Sequence, residues 1–381
     1  MKWLVLGGGG TVGIALLYLL KKIGWTACVV DPEKPAHYAT HEKRLKGTLL
    51  EWVEEAYTFE KLDARLTADS FDAVIDLAPS LDKPEVLALC DRHGVSLVNA
   101  TIAAFGKSVP AAARGFLTRR PSLSGRPHIV AAGMNPGAIN ALAEEIIQAN
   151  QERPTAIIYW EYDDTTPHHG SFNEPCITWC PCESAQEIDD DPAFEVVKKD
   201  KILLRSTPLE WEAQDYRTCG VPLDQLRVPS EGDALLIGHE ECVYMGWRHD
   251  TACKFVYGFH PENMTLMRKA SGNLKVNLLR QAKDTPLRGG DFVGVSCRFD
   301  GHWRGAYCHL DNTSATPLDT NSTSILVASG IAAAMIVLKN NHITPGVHLT
   351  HELENYVSSF RSLIPVHNYE MPAEALEEAL P

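Results

Sequence analysis

A run of four glycines between an apolar strand and an apolar helix is the feature that most constrains the fold. Gly8, Gly10 and Gly13 match the pattern G-x-G-x-x-G. These glycines permit a tight turn, close approach of the backbone to a pyrophosphate, and close packing of the helix on the strand. The pyrophosphate would lie at the helix N-terminus, near Thr11 and Val12, where unpaired N–H groups and the helix dipole favour an anion. The pattern predicts a dinucleotide-binding unit.

An acidic residue at the end of the second strand supports this interpretation. The apolar residues 27–30 are followed by Asp31, which lies 18 residues after Gly13. A carboxylate there would accept hydrogen bonds from the adenosine ribose and repel a 2′-phosphate. We therefore expect the cofactor to be NAD rather than NADP. The alternative is a glycine-rich turn in an α/β protein that binds no nucleotide.

Composition excludes several classes of function. The 381 residues are 45% hydrophobic and 22% charged, which is typical of a globular chain long enough for two domains. The formal charge of −14 argues against nucleic acid or an anionic membrane surface as a partner, and is compatible with a cationic ligand. The longest apolar stretch, residues 325–338, is shorter than the ~20 residues that a membrane span needs.

The ten cysteines are scattered along the chain. We expect them to be reduced, in the cytoplasm, because this is a long chain with an α/β pattern and no signal peptide is expected. No metal site is expected, because the one cluster, Cys176, Cys180 and Cys182, lacks a second pair of ligands.

Strands and helices alternate through the first third of the chain. Strands are predicted at residues 71–78, 96–99 and 128–132, and helices at residues 49–56 and 83–93. Such alternation with short loops requires a parallel, doubly wound sheet.

The loops that follow parallel strands face the crevice where ligands bind. Pro79 and Ser80 would pass over the adenine side of the cofactor, and Asn99 and Thr101 follow the next strand. Asn135, after the last strand of the domain, would touch cofactor or substrate. The alternative for Asn135 is a Pro-Gly turn in which the asparagine serves only the turn geometry.

Beyond residue 150 the pattern changes to strand-like segments separated by long loops, at residues 156–162, 201–204, 234–237, 253–257 and 294–299. Strands without intervening helices favour a mainly antiparallel second sheet, which would cap the nicotinamide end of the cofactor. The apolar segment 320–338 then predicts a buried helix that packs back on the first domain.

The expected fold is α/β, a Rossmann-type doubly wound parallel sheet with an inserted, mainly antiparallel α+β second domain. Residues 1–137 would form the NAD-binding domain and residues 138–318 the catalytic, substrate and dimerisation domain. Residues 319–381 would contain the returning helix and an acidic tail.

Four segments resemble the saccharopine dehydrogenase-like superfamily, and within it bacterial homospermidine synthases. They are the GGGGTVG loop, the GMNPGAIN loop at residues 133–140, the loop of Trp179, and the helix 321–338 with the sequence HEL that follows it. The resemblance implies a homodimeric NAD-dependent enzyme that oxidises a diamine such as putrescine and releases ammonia. A second amine would then add to the imine, and the same cofactor would reduce the product.

The resemblance also implies roles for four residues. Asn135 matches the asparagine of the loop, and Glu161 resembles the acidic substrate ligand. Trp179 is placed like the tryptophan that faces a cationic imine, and His260 lies in a segment similar to the family's Tyr-x-x-His-Pro. These four residues are the predicted catalytic set, and Asn135 and Glu161 are also predicted to bind substrate.

Elementary chemistry is consistent with those roles. A diammonium substrate needs carboxylates at both ends, and Glu161, Asp163 and Glu183 flank the Trp179 loop. An indole face stabilises an iminium by roughly 1 to 2 kcal/mol when water is excluded. A histidine such as His260 can move protons near neutral pH. Each of these residues could instead be structural: Trp179 a core aromatic, Glu161 a surface charge.

Two other functions remain open at this stage. A saccharopine or carboxynorspermidine-type dehydrogenase would perform NAD(P)-dependent reductive amination on a substrate with carboxylates, and would need convergent arginines. Four arginines are available in the second half of the chain: Arg205, Arg248, Arg280 and Arg298. Carboxylates in the cleft would favour the polyamine-forming enzyme, and arginines the reductive amination. The third candidate is a non-catalytic NAD-binding protein.

Overall fold

The fold was determined from a computed structural model of the chain. The residues that the structure describes are 2–35, 37–78, 81–102, 108–118, 120, 123, 125–150, 152–167, 174–226, 233–279, 287–315, 318–340 and 343–372.

The first half of the chain contains regular elements in alternation. They are β1 (Lys2–Leu6), α1 (Thr11–Lys22), β2 (Thr26–Asp31), α2 (Tyr38–Arg44), β3 (Leu49–Glu54), α3 (Phe59–Ala68), β4 (Ala73–Asp76), α4 (Lys83–Arg92), β5 (Ser96–Asn99), α5 (Val109–Thr118), β6 (Pro127–Val130) and α6 (Ala138–Asn150).

The second half begins with strands and short helices. They are β7 (Ala156–Asp163), β8 (Thr166–Pro167), α7 (Pro181–Ala185), β9 (Phe194–Lys198), β10 (Lys201–Leu204), β11 (Gln214–Asp215), β12 (Asp233–Ile237), α8 (Glu240–His249), β13 (Ala252–Phe259), α9 (Pro261–Lys269) and α10 (Leu274–Leu279). A π-helix at Gln186–Asp190 continues α7, and 3-10 turns lie at Tyr216–Cys219, Leu223–Gln225 and Thr350–Glu352. The chain ends with β14 (Leu287–Arg288), β15 (Gly290–Phe299), β16 (His302–Asp311), α11 (Asn312–Ala315), α12 (Ser322–Asn340), β17 (Gly346–Leu349), α13 (Tyr356–Arg361) and β18 (His367–Pro372).

The first sheet is parallel throughout its described strands, in the order β17-β6-β5-β4-β1-β2-β3. The chain starts at the centre with β1 and builds outward on both sides. The order reverses between β1 and β4, and this switch point opens a crevice at the carboxyl ends of the strands. The predicted Rossmann-type sheet is confirmed.

One prediction within this sheet is wrong. Residues 49–56 were expected to be helical, but Leu49–Glu54 is strand β3, paired in parallel with β2. The strand lies at the edge of the sheet and Leu50 is 54% exposed. An edge strand that is solvated on both faces shows neither clear alternation nor a continuous apolar run, so its pairing with β2 decides the conformation.

The second sheet is mixed and mainly antiparallel, as predicted. Its main path is β10-β9-β13-β7-β15-β16-β18, and β12 pairs with β13 and β11. Among the described strands, β7 and β13 form a parallel pair, so both end at the same edge of the sheet. β15 runs antiparallel to β7 and begins at that edge. The long loops expected between the strands contain helices α8 and α9, which the sequence pattern did not reveal.

Helix α12 is the apolar segment predicted to be buried, and it lies between the two sheets. It packs against helix α1, against β5 and β6 of the first sheet, and against β15 and β16 of the second sheet. By length and composition it could cross a membrane, but 83% of its apolar window is buried inside the structure, as in the core helix of a globular domain. After α12 the chain adds β17 to the first sheet and then β18 to the second, two contributions that the sequence pattern did not predict.

Helix α12 approaches the loop after β6 very closely at Gly330. A Cβ atom at this position would lie 2.0 Å from the carbonyl oxygen of Gly133 and 2.9 Å from that of Ala132. We expect Gly330→Ala to lower the free energy of unfolding by about 1–3 kcal/mol, because backbone atoms must shift to admit the methyl group.

The matched control for this prediction is Gly115→Ala in α5, where an added Cβ meets no atom within 4 Å. This change should stabilise the protein by about 0.4–1 kcal/mol through the loss of backbone entropy in the unfolded chain. Urea unfolding of both variants measures the difference. Equal effects of the two substitutions would show that the contact of α12 with the loop is not close.

Candidate functional site

The glycine loop forms a cradle at the N-terminus of α1. A Cβ at Gly8 would lie 2.4 Å from the Val29 side chain, and one at Gly13 would lie 2.4 Å from the carbonyl oxygen of Gly7. Gly10 is the N-cap residue of α1, with its nearest neighbour at 3.7 Å from an added Cβ. Gly8 and Gly13 are therefore needed for packing, while Gly10 keeps the open side of the loop free of side chains. This geometry fits a pyrophosphate on the N–H groups that begin the helix.

Asp31 lies against this loop, at the end of β2. Its Oδ2 accepts hydrogen bonds from the backbone N–H of Gly9 at 2.8 Å and from the Tyr57 hydroxyl at 3.0 Å. Its Oδ1 accepts one from the N–H of Glu33 at 3.1 Å. The carboxylate is thus fixed beside the phosphate cradle, where an adenosine ribose would lie. The cradle and the carboxylate together fit a nicotinamide dinucleotide.

The other predicted cofactor residues have mixed outcomes. Thr11 and Val12 begin α1 at the cradle. Pro79 and Ser80 lie outside the described residues. Asn99 is buried at the end of β5 and accepts a hydrogen bond from the N–H of Ala131 at 3.2 Å, so it shapes the turn after β6. Its contact with a cofactor stays a prediction.

Asn135 joins the two sheets. It lies in the loop between β6 and α6, where its peptide bond to Pro136 is cis. Its Nδ2 donates a 2.5 Å hydrogen bond to Oε2 of Glu161, on β7 of the second sheet. The Thr350 hydroxyl donates to the carbonyl oxygen of Gly137 at 2.7 Å and fixes the end of the same loop. Asn135 is therefore more than a turn residue, because its side chain holds a carboxylate.

Three carboxyl groups share one buried face of the second sheet. Glu161 and Asp163 are two residues apart on β7, so they point to the same side. In the antiparallel register Asp291 of β15 lies opposite Asp163. The three residues are 3%, 2% and 0% exposed. We call Glu161, Asp163 and Asp291 the carboxyl cluster.

Burial and mutual repulsion raise the pKa values of this cluster. Burial raises the pKa of Glu161 to about 7, although the hydrogen bond from Asn135 opposes the shift. Burial also raises the pKa of Asp163 to about 6, against the hydrogen bonds that it accepts. The pKa of Asp291 is raised well above its usual range by burial and by the charges of the other two carboxyl groups. The cluster therefore holds protons at neutral pH.

A second acidic group surrounds His239, and sequence reasoning missed it. The ring of His239 pairs with the carboxylate of Glu241 and stacks on Phe255 at 4.8 Å between ring centroids. Burial alone would lower its pKa, but the carboxyl groups of Glu241, Glu187 and Glu240 raise it to about 10. Burial raises the pKa values of Glu187 and Glu240 to about 7. The signal that could have found this group is the sequence His-Glu-Glu directly after an apolar strand.

Thr101, a predicted cofactor residue, binds this second group. Its hydroxyl donates a 3.0 Å hydrogen bond to Oε1 of Glu240, and the N–H of Ile102 donates to the same oxygen at 3.4 Å. Its contact with a cofactor is not tested by this geometry. These hydrogen bonds do show that the loop after β5 of the first sheet contacts the start of α8.

Trp179 follows a residue that binds the carboxyl cluster, and Glu183 lies near Lys83 and Glu187. The Trp179 indole is half-buried, and its interaction with Glu183 lowers the pKa of that carboxyl group. Burial raises the pKa of the Glu183 carboxyl, and the positive charge of Lys83 opposes the shift. The residue before Trp179 is Thr178, whose hydroxyl donates to Asp163 at 2.7 Å. The Trp179 loop is thus attached directly to the cluster.

His260 begins α9, directly after β13. Its backbone N–H donates to the carbonyl oxygen of Asp163 at 3.0 Å. Of the predicted catalytic and substrate residues, Asn135, Glu161, Asp163 and His260 therefore meet at one edge of the second sheet.

Three of the four candidate arginines, Arg205, Arg248 and Arg298, make other contacts. Arg248 forms two hydrogen bonds with Glu144, at 2.9 and 3.1 Å. Arg205 pairs with Glu195, and Arg298 is exposed with its guanidinium over the ring of Trp303. Arg280 lies outside the described residues. Carboxyl groups, rather than these arginines, surround Asn135 and Glu161.

The N-terminal domain matches a known family. Residues 3–134 match the saccharopine dehydrogenase NADP binding domain. The N-terminal domain is therefore a nicotinamide dinucleotide-binding domain of the dehydrogenase type. The resemblance to the saccharopine dehydrogenase-like superfamily, and with it the prediction of a nicotinamide dinucleotide cofactor, is confirmed.

A solved structure shares the fold of nearly the whole chain. The homospermidine synthase from Legionella pneumophila in complex with NAD is 15% identical, with a TM-score of 0.78, and the match covers 97% of this chain and 91% of that one. A probable dehydrogenase from Thermotoga maritima is 8% identical over 99% of this chain and 100% of that one, with a TM-score of 0.42. Comparison with curated protein sequences finds no match.

The protonation of the carboxyl cluster gives a prediction for stability. The unfolded Glu161 ionises near its usual pKa of 4.5, whereas the folded residue ionises near 7. The folded state therefore binds more protons between these values, and the contribution of Glu161 falls as pH rises through this window. We therefore expect the free energy of unfolding of Glu161→Gln to fall less between pH 5 and pH 8 than that of the unmodified protein. The two falls should differ by at least about 1 kcal/mol.

Urea unfolding at pH 5 and pH 8 measures this difference. The control is Glu354→Gln, an exposed glutamate near the C-terminal helix α13, which should leave the pH dependence unchanged. Identical pH dependence of Glu161→Gln and the unmodified protein would contradict the raised pKa.

Proposed function

We propose that the protein is an NAD-dependent enzyme of the homospermidine synthase type. It would oxidise a diamine such as putrescine, release ammonia, accept a second amine on the imine and reduce the product with the same cofactor. The observation that carries this proposal is the concentration of buried carboxyl groups around Asn135 and Glu161, with Arg205, Arg248 and Arg298 engaged in other contacts. Such a surface suits a substrate that carries positive charges and no carboxylate.

NAD would lie along the carboxyl edge of the parallel sheet. The pyrophosphate would be held by the N–H groups that follow Gly10, and the ribose hydroxyls by Asp31. A carboxylate at that position favours NAD over NADP, although the description of the matching family names NADP. When bound, the nicotinamide supplies hydride acceptance and later hydride return.

The substrate would be held through its ammonium groups. The carboxyl cluster supports one ammonium group, and the acids around His239 support the other end of the chain. The two groups are close enough for the charge of His239 to lower the pKa of Glu161. A carboxylate in a buried site binds an ammonium group by a charge-assisted hydrogen bond.

Glu161 would act as the general base. An ammonium group must lose a proton before its carbon can give up a hydride, and a base works best with a pKa near the working pH. The pKa of Glu161 is raised to about 7, and Asn135 holds the carboxylate oxygen in place. The proton returns when the secondary amine of the product becomes cationic, so the residue ends each cycle unchanged.

Trp179 and His260 complete the proposed set. The cationic imine that follows hydride loss would lie over the indole face, which contributes about 1 to 2 kcal/mol in a water-free site. His260 would move protons when ammonia leaves and the second amine adds. A homodimer in the cytoplasm is part of the proposal by resemblance.

The first experiment is incubation of the purified protein with NAD and putrescine. We expect homospermidine and ammonia in mass spectra, with no accumulation of NADH absorbance, because the hydride returns within each cycle. Reaction only with a carbonyl substrate and an amino acid would favour the reductive amination of a saccharopine or carboxynorspermidine-type dehydrogenase. NAD binding without turnover of any amine would favour the non-catalytic protein.

The choice of NAD gives a second prediction. We expect Asp31→Asn to weaken NAD binding at least about tenfold, because a hydrogen bond to a charged group contributes about 1.5–3 kcal/mol. Binding of NADP should be unchanged or stronger, since the charge that repels the 2′-phosphate is lost. Calorimetry with each cofactor measures both constants, and Asp63→Asn, on α3, is the control. If the affinities for NAD and NADP fell equally, Asp31 would only support the conformation of the glycine loop.

A further inference from the structure

Two threonine hydroxyls connect two of the buried carboxyl groups. The hydroxyl of Thr178 is 2.7 Å from Oδ2 of Asp163 and 2.7 Å from the hydroxyl of Thr323. The Thr323 hydroxyl is in turn 2.7 Å from Oδ2 of Asp291. All four side chains are buried, with exposures between 0% and 6%. The result is a continuous path of hydrogen bonds, which we call the threonine path.

Proton counting fixes the charge state of this path. Three contacts at 2.7 Å join four oxygen atoms, and each contact needs one hydrogen. The two hydroxyl groups supply two hydrogens, because each threonine has one O–H. The third must belong to a carboxyl group at one end of the path. Either Asp163 or Asp291 is therefore protonated in the folded protein.

The surroundings of the two ends decide which one carries the proton. Asp163 accepts a further hydrogen bond, from the N–H of Thr165 at 2.9 Å, which favours its ionised form. Asp291 is fully buried on β15, and its carboxyl group lies near those of Glu161 and Asp163. Two like charges nearby disfavour its ionisation. The proton therefore rests on Asp291.

The path is held rigidly at the start of α12. Asn321 donates to the carbonyl oxygen of Thr178 at 2.8 Å, and its Oδ1 accepts a hydrogen bond from the N–H of Ser324 at 2.8 Å. Asn312 accepts a hydrogen bond from the N–H of Ser322 at 2.9 Å. These contacts join the Trp179 loop to the helix and keep the two threonine hydroxyls within reach of each other.

We propose that Asp291, Thr323, Thr178 and Asp163 form a proton relay that serves Glu161 during the reaction. The inference rests on the proposed function and adds residues to it. In the relay the proton of Asp291 passes to Thr323, the hydroxyl proton of Thr323 to Thr178, and that of Thr178 to Asp163. One proton leaves Asp291 and one arrives at Asp163, so both hydroxyl groups are restored.

The relay lets Glu161 accept substrate protons more than once in a closed site. After the transfer Asp291 is ionised and takes the proton that Glu161 has removed from the substrate ammonium. Glu161 is then free to accept again, and the reverse transfer returns the proton when the product amine is protonated. Thr178 and Thr323 are positioning and relay residues, since they act through the carboxyl cluster. Other titratable groups face the cluster from neighbouring elements: Asp164, Cys176, His239, Tyr257 and His260.

Thr323→Val tests the relay because it removes one hydroxyl and keeps the shape of the side chain. We expect kcat with putrescine to fall at least about tenfold, with KM changed less than about twofold, since general acid–base catalysis contributes 10²–10⁴-fold. A plot of kcat against the deuterium fraction of the solvent should change from curved to linear, because several protons no longer move together. Thr323→Ser should restore kcat and the curvature.

The control is Ser329→Ala, which removes another buried hydroxyl from α12, one that donates to the carbonyl oxygen of Ile325. It should leave kcat and the deuterium dependence unchanged. If Thr323→Val and Thr323→Ser lose activity equally, or Thr323→Val keeps wild-type kcat, the relay is refuted.

A second measurement does not depend on turnover. At pH 8 the infrared spectrum of the unmodified protein should contain the C=O band of a protonated carboxyl group, and Asp291→Asn should remove it. Persistence of the full band in Asp291→Asn would overturn the assignment. If no diamine is turned over, the proposed function fails while this spectrum still decides whether Asp291 holds the proton.

Discussion

The hydrogen bond from Asn135 to Glu161 is the contact on which the site depends. Glu161 lies on the second sheet and is 3% exposed, and a carboxylate buried to this degree is costly unless it is hydrogen-bonded. The partner comes from the first sheet, through a loop that Gly330 of α12 approaches within contact distance and that Thr350 fastens at its end. Packing of the two sheets on α12 therefore determines where the carboxylate points.

The strand order of the second sheet concentrates the acids. Because β7 and β13 are parallel neighbours and β15 is antiparallel to β7, the ends of two strands and the start of a third meet at one edge. Glu161, Asp163 and Asp291 arrive there on one face. Three carboxyl groups at such short range cannot all be ionised, so the geometry requires that they share protons. Acid–base capacity is thus a consequence of topology as much as of residue type.

The sequence predicts the parts of the site that are local. The glycine loop, Asp31 and Asn135 each follow a strand whose apolar pattern is strong, so their place at the crevice follows from chain order. Asp291 and Asp163 are far apart in the chain, and only the register of β15 against β7 brings them together. Glu187, Glu240 and Glu241 were missed because the helices that carry them lie in segments that the sequence pattern assigned to long loops. Strand β3 was mistaken for a helix because an edge strand has a weak pattern.

In the proposed reaction, the same burial that raises the pKa values would also select the charge of the substrate. A neutral or anionic ligand leaves the carboxyl groups protonated and unable to accept a proton. An ammonium group that enters the cluster replaces repulsion between acids with attraction, which lowers their pKa values and makes them bases. Under the proposed function, binding of a cation would thus prepare the groups that then remove its proton, and a substrate carboxylate placed at the cluster would not. Substrate charge and base strength are therefore coupled in one set of residues, of which Glu161 is the member that Asn135 holds in place.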